Sequence, residues 1–223
     1  KICIVGGSGF VGSSLIPYLI ENKRDVTVVG RSHAPRNALP SSVKYLSGDI
    51  KDEKFVDHFL NNTDEIIYLA YSTTPRTSFE NLFQDLNENL ISAVSFFDIA
   101  SRYPIKKIIY ISSGGAVYGE SDKPLISENH PTNPISPYGI TKLSIEKYAQ
   151  LFWKTRNLPI VCIRPSNIYG ENQKPFIGQG FISTAIASVL MDREIIVYGQ
   201  DGTYRDYIYI DDFVKAMVLS LDK

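Results

Sequence analysis

The chain has 223 residues, 43% hydrophobic and 21% charged, ordinary values for a folded domain that exclude a disordered tail, a fibre or a repeat array. That length suits one α/β domain, or such a domain with a partial lobe. Lys and Arg number 23 against 24 Asp and Glu, a net charge of -1, so the whole-chain balance does not point to nucleic acid or an anionic membrane, and any anion site must be local.

The amino terminus KICIVGG enters a strand pattern at once, and no apolar run reaches the roughly 18 residues that cross a bilayer. A cytoplasmic protein with no membrane contact is expected. Continuous apolar runs occupy 2–5, 26–29, 43–46, 65–70, 107–112 and 159–163. Runs without polar alternation suit strands buried on both faces of a parallel sheet. The longest helical patterns span about 81–102, with Leu82, Leu86, Leu90, Val94 and Phe97 at helical spacing, and 136–157. Repeated βα units of this kind predict an α/β, doubly wound Rossmann fold. Pro17 falls inside the first helix and should kink it. Beyond Pro165 the rhythm changes to loops, an amphipathic stretch at about 177–190, a short strand at 194–199, and a strand at 207–210 that leads into a last helix. Residues 1–165 therefore read as the dinucleotide-binding domain and 166–223 as a partial substrate-binding lobe with a returning strand and helix. Cys3 and Cys162 lie in apolar runs and read as small hydrophobes, and the isolated His33, His58 and His130 show no metal-ligand spacing, so no metal is expected.

The first strand runs into GGSGFVG, which places Gly6, Gly9 and Gly12 at GxxGxxG spacing before a helix. The glycines allow a tight turn, close approach of the backbone to a pyrophosphate and close helix packing, and the helix amino terminus faces the phosphates. Phe10 and Val11 sit at that amino terminus. About 20 residues on, where an NAD site usually places Asp or Glu, the chain has Gly30 and Arg31. Arg31 can clamp a 2′-phosphate, with Ser32 and Arg36 nearby, which favours NADP without excluding NAD. Asp49, followed by Ile50, either reaches the adenine edge or caps the next helix.

Tyr138 and Lys142 stand four residues apart on one helix face. A free phenol titrates near ~10, so a Tyr that exchanges protons near neutral pH needs a fixed cation beside it. Tyr138 is the candidate acid/base and Lys142 the cation.

The blocks GGSGFVG, SSGGAVYG, YGITK, RPSNIYG and RDYIYIDD, in that order, resemble the extended short-chain dehydrogenase/reductases, in particular the UDP-glucose 4-epimerase-like group of NAD-dependent nucleotide-sugar epimerases and dehydratases. The resemblance runs along the whole chain. It implies that Tyr138 is the proton acceptor and donor, and that Lys142 is its electrostatic partner and binds the nicotinamide ribose. It also implies that Leu69, Ala70 and Asn87 touch the cofactor, and that Asn167, Gln179, Tyr198 and Arg205 contact the sugar nucleotide. Two departures stand out. The family's catalytic Ser or Thr falls at Gly114, so the hydroxyl role passes to Ser113, Ser112 or water, with Ser113 the choice for catalysis and substrate contact. The Asp-Glu pair of the dehydratases is replaced by Gly115 and Ala116, which argues against dehydration. Relatives continue past the last helix, so a fragment of a longer enzyme is expected.

The resulting expectation is a nucleotide-sugar 4-epimerase that works through a transient 4-keto sugar. An NADPH-dependent 4-keto-sugar reductase is the alternative, and a cofactor-binding protein without chemistry the second alternative. The long helices carry more apolar residues than one sheet face needs, which predicts a homodimer through a helix bundle.

Overall fold

The computed structural model describes residues 1–123, 125–197 and 204–222. Six parallel strands form the central sheet in the order β3-β2-β1-β4-β5-β6: β1 Ile2–Val5, β2 Val26–Gly30, β3 Lys44–Ser47, β4 Glu65–Tyr68, β5 Lys107–Ile111 and β6 Ile160–Ile163. All six expected strands form, with ends shifted by up to two residues. Side-chain alternation divides each strand between two cores. In β1, Cys3 and Val5 face one layer with Phe59, Phe96 and Phe97, while Ile2 and Ile4 face the other with Leu15, Leu19 and Val214. Both cysteines are free, and Cys3 is wholly buried.

The helix α1 (Phe10–Glu21) continues through Pro17. A proline inside a helix costs about 3 kcal/mol, but Leu15, Ile16 and Leu19 are at most 1% exposed. At roughly 1.5–3 kcal/mol for each such side chain, their burial outweighs the lost bond. The helix α2 (Glu53–Leu60) is capped by Asp52, whose side chain accepts Lys54 N–H at 3.0 Å. Asp49 is therefore not that cap; it accepts Lys51 N–H at 3.0 Å within the preceding turn.

The stretch expected as one helix over 81–102 is broken into parts. The short α3 (Pro75–Glu80), capped by Thr74, and α4 (Leu82–Asp85) lead into a π-helical turn, Leu86–Ile91, and then α5 (Ser92–Ala100). The turn rotates the faces relative to a regular helix. Leu82 and Leu86, expected on the buried stripe, are 53% and 40% exposed, and Asp85 and Asn89 are buried instead. After β5 come α6 (Gly114–Val117) and the long α7 (Pro137–Arg156), which ends at Asn157 in the left-handed conformation.

Beyond β6, β7 (Asn167–Tyr169) pairs in parallel with β8 (Tyr207–Tyr209); 167–169 is thus strand where loop is expected, its partner lying some 40 residues away. The helix α8 (Phe181–Leu190) shortens the expected 177–190 segment, and residues 194–197 carry no strand. The final helix α9 (Ile210–Asp222) packs on α1 and β5 within the second core. The second core is thus closed by α1 and α9, which are far apart in sequence.

Candidate active site

The sheet order reverses between β1 and β4, where a doubly wound fold opens a crevice at the carboxyl ends of its strands. The glycine turn lies there. Gly6 has φ +81°, and a Cβ on it would come within 2.7 Å of the Ala70 backbone nitrogen; a Cβ on Gly12 would strike the Gly7 carbonyl oxygen at 2.1 Å. Only glycine lets the turn pass this close to the end of β4 and lets α1 seat on it. The helix α1 has no side-chain cap and no acidic residue in its first turn, so the N–H groups of Phe10 and Val11 suit an anion, while Gly9 N–H donates to the Gly6 carbonyl at 3.4 Å. These residues fit a dinucleotide pyrophosphate.

At the edge of the crevice, Arg31 is exposed and donates from Nη1 to Glu88 Oε2 at 3.2 Å. Ile50 is buried, Asp49 is exposed beside it, and Leu69 and Ala70 follow β4 against the glycine turn. Asn87, expected at the cofactor, is exposed on the π-helical turn, whereas Asn89 is the amide turned inward. Its side-chain oxygen accepts Ser72 N–H at 2.8 Å and Ser72 Oγ–H at 3.1 Å.

Next to Ala70, the Tyr71 ring meets the Tyr138 ring edge-on at 5.0 Å between centroids. Tyr138 and Lys142 lie in the first turns of α7, which Ser136 caps through Gly139 N–H at 3.1 Å. Lys142 is buried, its Nζ donating to the Ile111 carbonyl at 2.7 Å and lying 3.9 Å from the Tyr71 ring centroid. The Tyr110 and Tyr138 ring centroids are 5.1 and 5.6 Å from the same nitrogen. Burial lowers Lys142 to about 7, against the upward pull of Asp85 and Glu146. Burial raises the Tyr138 phenol to about 12, with the Ser113 hydroxyl pulling it down and Asp85 pushing it up. A positive nicotinamide ring and a lysine held as the cation are the charges that bring such a phenol toward neutrality.

The two serines after β5 separate cleanly. Ser112 is buried and donates to Glu146, which Arg164 holds from the other side through Nε at 2.9 Å and Nη2 at 2.6 Å. Ser113 faces Tyr138. A side chain at Gly114 would be tightly placed, its Cβ 3.0 Å from both the Arg164 and Pro165 carbonyl oxygens.

Three of the residues expected at the substrate are exposed. Asn167 donates to the Asp206 carbonyl at 2.9 Å, which brings it beside Arg205, while Gln179 sits in the loop before α8. Tyr198 lies outside the described residues. Sequence reasoning missed Asp85 and Asn89; their spacing of four within an otherwise apolar pattern was the available signal.

A parallel Rossmann sheet, a glycine turn at its switch point and a Tyr/Lys pair beside that turn define a nicotinamide-dinucleotide enzyme of the short-chain dehydrogenase type. The model of the NAD dependent epimerase/dehydratase family matches residues 2–223, and the chain belongs to that family. It is 34% identical over 99% of its length to a putative UDP-glucose 4-epimerase of Methanocaldococcus jannaschii, covering 73% of that protein. It is also 34% identical to a dTDP-4-dehydro-6-deoxyglucose reductase of Escherichia coli, across 99% of this chain and 72% of that one. The solved UDP-glucose 4-epimerase of Thermotoga maritima, in complex with UDP-glucose, superposes with a TM-score of 0.93 at 31% identity, over 100% of this chain and 73% of the other. Among the described residues no helix is long and apolar enough to cross a membrane.

Proposed function

We propose that the protein is a nucleotide-sugar 4-epimerase acting on a UDP-glucose or UDP-N-acetylglucosamine type of substrate. The observation that carries this reading is the convergence of Tyr138, Lys142 and Ser113 beside the glycine turn, in a chain whose relatives include UDP-glucose 4-epimerases. The glycine turn and Lys142 would hold the nicotinamide dinucleotide, which when bound would supply the chemistry of accepting hydride from C4 of the sugar and returning it to the opposite face. Tyr138 accepts the proton of the 4-hydroxyl and gives it back, Lys142 supports the phenolate by its charge, and Ser113 holds the 4-oxygen. Asn167, Gln179, Tyr198 and Arg205 are proposed to hold the nucleotide diphosphate and sugar, with residues 166–223 contributing the substrate lobe.

Two finer points belong to the same proposal. NADP is favoured over NAD, supported by Arg31 where an acidic residue would repel a 2′-phosphate. A cytoplasmic homodimer is proposed through the apolar surface that α4, the π-helical turn and α7 leave uncovered, where Phe83 is 79% and Leu151 50% exposed; light scattering of Phe83→Glu against the parent tests it.

The full protein, incubated with UDP-glucose or UDP-N-acetylglucosamine without added cofactor, is expected to interconvert the 4-epimers by NMR, and Tyr138→Phe to slow this by about 10²–10⁴-fold. Failure to interconvert either, with NADPH oxidised only when a 4-keto sugar nucleotide is supplied, establishes a reductase instead, the reading favoured by Arg31 and the Escherichia coli relative.

A further inference from the structure

The buried carboxylate of Asp85 has no part in the proton transfer described so far. It is 0% exposed and sits at the end of α4. Thr73 and Thr141 donate their hydroxyls to it, Asn89 Nδ2 donates at 3.0 Å, and Tyr71 OH donates at 3.4 Å. All four donors are neutral, and among the described residues no salt bridge reaches the carboxylate. An anion in that position is costly unless a nearby cation shares its field. The connections lead to one. Tyr71 carries both its hydroxyl bond to Asp85 and the ring face 3.9 Å from Lys142 Nζ, and Thr141 precedes Lys142 on α7.

We infer that Asp85 is a positioning residue for proton transfer, the buried negative charge that Lys142 answers to, linked to it through Tyr71 and Thr141. The other groups facing Lys142 are accounted for. Tyr71, Tyr110 and Tyr138 present rings. Glu146, one turn along α7, is neutralised by Arg164, with Cys162 next to that pair. Asp85 is the carboxylate in this group without a guanidinium of its own. Its field favours the charged lysine and disfavours the phenolate, so it moves both groups upward. The effect is to hold Lys142 as a cation while Tyr138 keeps its proton until the nicotinamide charge arrives.

The inference rests on the epimerase reading, and its test has a readout that does not. In the full protein with ¹³Cε-labelled lysine, Lys142, identified by Lys142→Met, is expected to titrate near 7, and in Asp85→Asn about one unit or more lower. Both limbs of the kcat/KM pH profile should move to lower pH in the variant, with kcat down about ten- to a hundredfold and KM little changed. Asp85→Ser removes the charge with more room for water, and is expected to shift the lysine the same way if the asparagine variant does not fold. Unchanged Lys142 midpoints in a folded neutral variant, with activity lowered equally at every pH, would overturn the inference and leave Asp85 a tie between α4 and α7. If the parent converts no nucleotide sugar, the functional reading falls, and the lysine titration still decides the role of Asp85.

Discussion

The hydroxyl of Ser78 accepts the backbone N–H of Tyr138 at 3.2 Å and donates its own proton to the Pro75 carbonyl at 2.8 Å. Ser78 is wholly buried, so one side chain from α3 satisfies an otherwise open N–H in the first turn of α7, at the residue proposed to exchange the proton. Ser78→Ala is expected to leave that N–H unpaired, costing about 1–3 kcal/mol of stability, and to lower kcat more than it raises KM. Urea unfolding together with steady-state kinetics reads both effects; a stability loss with unchanged kcat would mean that α7 holds Tyr138 in place without help from α3.

The two serines after β5 should behave differently. Ser113→Ala removes the hydroxyl that pulls the Tyr138 phenol down, so kcat should fall by about tenfold or more and the acid limb of the profile should move to higher pH. Ser112→Ala leaves Glu146 bound to Arg164 and should affect stability more than chemistry. Gly114→Ser, which restores the family's residue at its usual place, should destabilise the protein because the new Cβ presses on two backbone carbonyl oxygens. A gain in activity from that substitution would show that the loop has room to shift.

These serines also mark where the sequence stops being legible. GxxGxxG and Tyr-x-x-x-Lys carry their spacing on their face, since each motif lies within one turn or one helix and its geometry is local. Which of Ser112, Ser113 and position 114 points at Tyr138 depends on how the end of β5 meets Pro165, a contact between residues some 50 apart. The same holds for Asp85 and Asn89. A regular helix drawn through Leu82, Leu86 and Leu90 puts the leucines inside, and only the π-helical turn, driven by polar partners at Thr73 and Thr141, turns the carboxylate and amide inward. The pairing of β7 with β8 was hidden for a related reason, as three-residue strands distant in sequence carry little periodicity.

Burial of Lys142 predicts a pH dependence of stability. The lysine is lowered from 10.5 to about 7, so between these values the unfolded chain binds more protons than the native one, and stability rises with pH. The Tyr138 phenol, raised to about 12, acts in the opposite sense, but only above its ordinary value near ~10. The thermal midpoint of Lys142→Met relative to the parent should therefore shift in the variant's favour as pH falls from about 10 to about 7 and level off below, on top of a constant offset from the loss of the cation beside Asp85. Parallel curves would place Lys142 in a wetter or better paired environment than its single bond to Ile111 provides.

The ion pair of Arg31 with Glu88 gives the proposed preference for NADP its test. The guanidinium stands at the end of β2, 57% exposed, and its side-chain partner is Glu88 on the π-helical turn. Burial pushes the Glu88 carboxyl up, but its bonds to Ser72 and Arg31 outweigh that and hold it below the usual carboxylate range, so near neutral pH the pair is charged and a 2′-phosphate must compete with the carboxylate for the arginine. Arg31→Ala should weaken NADPH binding by about tenfold or more while changing NADH binding little, since a hydrogen bond to a charged group contributes about 1.5–3 kcal/mol. Glu88→Gln frees the guanidinium and should move the preference further toward NADPH. Calorimetric titration of both cofactors into the parent and the two variants measures the ratio, and an equal loss for NADH and NADPH in Arg31→Ala would show that Arg31 stacks on the adenine rather than reading the phosphate.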